Sequence, residues 1–71
     1  MAELELNVTV NGEPRTLSSP ATIRDLVLML GFRPEQVAVE RNKQLVRRQE
    51  HATTQLADGD HIEVVTFFGG G

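Results

Sequence analysis

Residues 3–10 alternate strictly. Leu4, Leu6, Val8 and Val10 fall on one face, and Glu3, Glu5, Asn7 and Thr9 on the other. A period of two is that of a strand with one face buried. Asn11-Gly12 follows and reads as a two-residue hairpin, because both central residues of that turn take positive φ. The return strand is expected from Pro14 to Ser18. Pro14 has no N–H to give a ladder, so it should start that strand or lie on a sheet edge. Ser19-Pro20-Ala21-Thr22 closes the unit. Thr22 suits a helix N-cap, and Asp25, three residues on, completes a weaker form of the capping box. Ile23, Leu26, Val27 and Leu30 then recur at i, i+3, i+4 and i+7, the stripe of a short amphipathic helix. Gly31 can supply its left-handed C-cap.

Phe32 to Gln36, with Pro34, reads as a connector. Val37 to Glu40 and Gln44 to Val46 read as short strands joined through Arg41-Asn42-Lys43. Gln49 to Gln55 is polar, an irregular stretch or loose helical turn. Leu56 is expected to plug the core before a tight turn, Ala57-Asp58-Gly59-Asp60. A last strand should run from His61 to Phe68, with Ile62 and Val64 on one face and Glu63, Val65 and Phe67 on the other. The order is hairpin, helix, two short strands, final strand. A helix after a hairpin must cover one face of the sheet to bury its stripe. The final strand can return parallel to the first, through the long crossover such a neighbour needs. The expectation is an α+β, ubiquitin-like β-grasp fold, a mixed sheet of four to five strands on one helix. It fills a single domain over 1–71, ending in a flexible glycine tail over 69–71.

Seventy-one residues hold one domain, near the lower limit of independent stability. With no cysteine, disulfides and thiolate metal sites are unavailable. No apolar run approaches the ~18 residues of a membrane span, and the opening Met-Ala-Glu-Leu-Glu lacks the pattern of a signal peptide. A cytoplasmic location without membrane attachment is therefore expected. A net charge of -3 argues against nucleic acid as a partner, since phosphate neutralisation needs a basic surface. The one basic cluster, Arg41, Lys43, Arg47 and Arg48, reads as a solvated face, with a docking patch for an acidic partner as the alternative.

Little conventional catalytic chemistry is visible. There is no glycine-rich phosphate loop between a strand and a helix. His51 and His61 lack ligand spacing and read as surface or turn residues. Asp58 and Asp60 flank Gly59 as ordinary turn chemistry. Asn7-Val8-Thr9 matches a glycosylation sequon but falls inside a strand. No catalytic residue, bound cofactor or metal site is expected. What remains is Gly69-Gly70-Gly71, directly after an apolar strand. Glycine is costly to order, so such a run does nothing for a core. Without side chains it can thread a narrow channel, reaching about 10 Å beyond the fold. The terminal carboxylate becomes an electrophile once it is adenylated.

Across nearly its whole length the chain resembles the ThiS family, the small sulfur carriers of thiamine biosynthesis. The resemblance rests on Val8-Thr9-Val10-Asn11-Gly12, Val37-Ala38-Val39-Glu40-Arg41-Asn42 and Leu45-Val46-Arg47-Arg48. It continues through Leu56-Ala57-Asp58-Gly59-Asp60 and Val65-Thr66-Phe67-Phe68-Gly69-Gly70-Gly71. Arg47 departs from the family, which often has proline before arginine there. The resemblance implies a protein co-substrate rather than a catalyst. A separate adenylating enzyme would activate Gly71 with ATP and magnesium. Sulfur from a cysteine desulfurase route would convert it to a thiocarboxylate, and thiazole synthase would accept that sulfur. Gly70 and Gly71 carry over as the tail, with Gly69 as an extra residue. Glu63, Val65, Phe67 and Phe68 are the expected docking face, with at least one of the two phenylalanines exposed. Three alternatives stay open: the small subunit of molybdopterin synthase, a modifier joined to lysines of other proteins, and a β-grasp interaction domain with an incidental tail.

Overall fold

The computed structural model describes residues 4–67. Strand β1 (Glu5–Val10) turns at Asn11-Gly12 into β2 (Glu13–Ser18), and helix α1 (Ile23–Met29) follows. Strands β3 (Val37–Arg41) and β4 (Gln44–Val46) come next, then β5 (His61–Thr66). Short 3-10 turns cover Pro34–Gln36 and Arg48–Glu50. The five strands form one sheet in the order β2-β1-β5-β3-β4. β1 and β5 run parallel, and the other neighbours are antiparallel. This is the expected β-grasp, with the last strand at the centre of the sheet.

Local chemistry sets the element ends. Asn11 and Gly12 have φ of 52° and 83°, the geometry of a two-residue hairpin turn. The Thr22 hydroxyl accepts from the Asp25 N–H, and the Asp25 carboxylate accepts from the Thr22 N–H, so the capping box is complete. At the other end Gly31 (φ 91°) donates to Leu28 and Phe32 donates to Val27, a Schellman stop. A seven-residue helix is unstable alone. It is held because Ile23, Leu26 and Val27 are completely buried against the sheet, each contributing roughly 1.5–3 kcal/mol. Leu6, Val8, Val10, Val39, Ile62 and Val64 meet them from the sheet, and Leu56 plugs the core as expected.

Several boundaries differ from expectation. Leu4 is 72% exposed, not a core residue. Leu4 lies before β1, whose first buried residue is Leu6. β2 begins at Glu13 and carries Pro14 on an outer edge strand. β3 extends to Arg41. β5 ends at Thr66; Phe67 bends away although its N–H still donates to the Gln36 carbonyl. Phe68 and the tail, Gly69, Gly70 and Gly71, lie outside the described residues.

Candidate functional site

β5 is the strand that leads to the glycines, and side chains brace both of its edges. Along its β3 edge, Phe67 donates to Gln36 and Asn42 donates to the His61 carbonyl. The register makes 61, 63, 65 and 67 the residues whose main chain faces β3. Residues 62, 64 and 66 face the other way, where β1 ends after Val10. There the hairpin turn takes over. The Asn11 N–H donates to the Ile62 carbonyl at 2.9 Å. Its side-chain amide then accepts from the Val64 N–H at 2.8 Å and donates to the Val64 carbonyl at 3.1 Å. One asparagine thus imitates a strand where the neighbouring strand has run out. At the start of β5, the Asn42 side-chain oxygen accepts from the His61 N–H at 2.9 Å.

The Asp58-Gly59-Asp60 turn locks the entry to β5. The Asp58 carboxylate accepts from the Asn7 N–H, and the Gly59 N–H donates to the Asn7 carbonyl, both at 2.7 Å. Asp60 is buried. Its carboxylate accepts from Arg41 Nε and the Ala57 N–H, both at 2.8 Å, and from Asn42 Nδ2 at 3.1 Å. Burial alone would raise the Asp60 pKa. The Arg41 hydrogen bond, the Ala57 N–H, the Asn42 amide and the Arg41 charge outweigh it and hold the carboxyl below its ordinary value. Asp58 and Asp60 are therefore turn residues, as expected, and Asp60 is also a structural hub. Arg41 leaves the expected solvated cluster: it is half-buried and ion-paired, while Lys43, Arg47 and Arg48 are exposed.

His51 is a turn residue, one of the two expected settings, but it is not on the surface. It is buried, and its carbonyl accepts from the Arg24 N–H at the start of α1. Its Nε2 donates to the Val46 carbonyl at 3.1 Å, and Nδ1 has no partner among the described residues. His61 is exposed, with Nδ1 at 2.9 Å from the Thr9 hydroxyl. Among the described residues no three histidine, aspartate or glutamate side chains come together to hold a metal, and no helix is long and apolar enough to cross a membrane.

The outward face of β5 presents Glu63 and Val65, with Phe67 just beyond; Val65 is 60% and Phe67 61% exposed. Ala38 lies opposite Val65 across the β3 pairing. The sequence missed the Asn11 and Asn42 clamps. Their signal was an asparagine at a turn position where other residues would also serve.

The fold and site thus define a β-grasp domain whose central strand is fixed at both edges, with exposed Val65 and Phe67 near its end. The ThiS family model matches residues 8–71. A thiazole synthase from Magnetococcus marinus is 46% identical over 66 residues, covering 93% of this chain and 20% of that protein. A sulfur carrier protein ThiS from Bacillus subtilis is 40% identical over 50 residues, 70% of this chain and 76% of that protein. The crystal structure of the thiamine biosynthesis protein ThiS from Geobacter metallireducens superimposes with a TM-score of 0.76 at 35% identity, covering 93% of this chain and 100% of that one. This chain belongs to the ThiS family. It spans about a fifth of the length of the thiazole synthases it matches.

Proposed function

We propose that the chain is a sulfur carrier of thiamine biosynthesis, acting as a co-substrate for other enzymes in the cytoplasm. The family match, which runs through to Gly71, carries this reading. A separate adenylating enzyme uses ATP and magnesium to join the Gly71 carboxylate to AMP, releasing pyrophosphate. A sulfur nucleophile from a cysteine desulfurase route forms a C–S bond as the C–O bond to AMP breaks. The products are the thiocarboxylate and AMP. Adenylation is needed because a free carboxylate carries full negative charge and lacks a leaving group.

The tail residues Gly69 and Gly70 thread the partner's channel. Glu63, Val65, Phe67 and Phe68 form the docking face; bare apolar side chains beside a working end fit a partner surface. Thiazole synthase then takes the sulfur. Support for that pairing comes from relatives named thiazole synthase, a fifth of whose length resembles 93% of this chain. Deleting Gly70 and Gly71 tests the proposal. The shortened chain should unfold at the same temperature as the parent yet give no sulfur transfer in a reconstituted thiazole-forming reaction. Retained transfer would make the tail incidental.

A further inference from the structure

β4 is an edge strand. β3 uses its even residues to bond β5, so its odd residues bond β4, and Val39↔Val46 and Arg41↔Gln44 are the bonded pairs. Leu45 lies between them. Its N–H and carbonyl therefore point off the sheet, and its side chain is 66% exposed. Lys43 and Arg47 each stand two residues from Leu45, and Arg48 follows; all are exposed. The ion pairs among the described residues are Arg33–Glu35 and Arg41–Asp60, so none of these three cations has an acidic partner there. In a chain of net charge -3, these three cations make the outer edge locally basic, with exposed Glu40, opposite Leu45 on β3, on its inner side.

We propose that the β4 edge is a docking site for an extended acidic segment of a protein partner, separate from the glycine tail. The segment adds as a sixth strand, with main-chain bonds to Leu45. Lys43, in the turn before β4, and Arg47, just after it, flank Leu45 at the two ends of this short edge. As flanking charges they suit carboxylates on either side of a central apolar residue, which packs beside Leu45. The preferred partner sequence is thus acid-x-apolar-x-acid. Cations on an edge also discourage self-pairing of sheets, and that role alone would give no acidic ligand.

The test is an NMR titration of the 15N-labelled full chain at low salt with the capped peptide acetyl-Glu-Thr-Leu-Thr-Glu-amide. Its counterpart with lysine at both ends is the control. Amide shifts should centre on residues 43–48, and exchange of the Leu45 N–H should slow. The lysine peptide should bind about tenfold more weakly, from two exposed ion pairs turned repulsive. The variant K43E/R47E should reverse that preference. The proposal is overturned by shifts no larger than those from the lysine peptide, or by shifts centred on the β2 edge. Self-association of K43Q/R47Q with no response of the parent to the glutamate peptide would also overturn it, leaving the cations only an edge-guarding role. The tail takes no part in this titration, so its failure leaves the role of Gly71 untouched.

Discussion

Asn11→Gly separates the turn-forming role of this residue from its clamping role. Asn11 has φ of 52° and Gly12 of 83°. Glycine adopts such angles without strain, so the hairpin survives the substitution. The Asn11 N–H to the Ile62 carbonyl also survives, because it belongs to the main chain. What disappears is the pair of bonds to Val64, at 2.8 and 3.1 Å. Each such bond contributes about 1 kcal/mol net, more where the abandoned group stays partly dry. Val64 is buried, so a loss of about 2–3 kcal/mol is expected. For a domain of this length that is a large share of roughly 4–10 kcal/mol. The melting temperature should fall by about 10–20 °C. Asn11→Ala should be worse by a further 1–2 kcal/mol or so, since it adds left-handed strain to the same loss. Urea unfolding gives the stabilities, and hydrogen exchange at the Val64 N–H reports the clamp itself. A glycine variant within about 0.5 kcal/mol of the parent, or unchanged Val64 protection, would refute the idea that Asn11 stands in for a strand.

Three further outcomes follow from the same geometry. The folded state holds the Asp60 carboxyl below its ordinary value, so its contribution is complete above about pH 4 and is lost as pH falls through the lowered value. Urea unfolding at pH 6 and pH 3 should therefore show a gap between parent and Asp60→Asn that narrows on acidification; a constant gap would contradict the ion pair. Phe67→Asp should change stability by less than about 0.5 kcal/mol, since the ring is exposed, yet weaken binding to the adenylating enzyme about tenfold or more; unchanged calorimetric affinity would remove Phe67 from the docking face. Leu26→Ala should cost about 2–5 kcal/mol from a fully buried helix position, and chemical denaturation showing less than 1 kcal/mol or so would mean the helix is not packed as described.

The parts of this structure that are legible in the sequence are those settled by near neighbours. Thr22 and Asp25 are three residues apart and make the cap they promise. Alternation along β5 correctly separates Ile62 and Val64 from the exposed Val65 and Phe67. The parts that were not legible depend on distant partners. Asn11 reads as a turn residue, and nothing local shows that its amide meets Val64, 53 residues away. Arg41 reads as one of a cluster of surface cations because Asp60, 19 residues on, is the group that claims it. His51 sits in a polar stretch with no periodicity, so nothing local shows that it bonds the Val46 carbonyl and the start of α1. Leu4 has the right parity for the core but precedes β1 and stays exposed. The tail is the reverse case: Gly71 is a reading of the sequence alone, and the fold contributes the braced strand that leads toward it.

The central claim is that the Gly71 carboxylate is the working group. Intact-mass spectrometry after incubation with the adenylating enzyme, ATP, magnesium and sulfide tests it most directly. The account predicts a gain of about 16 Da, oxygen replaced by sulfur, located to Gly71 by fragmentation and absent when ATP is omitted. An unchanged mass with an enzyme that thiocarboxylates another carrier, or a gain located elsewhere in the chain, would contradict it.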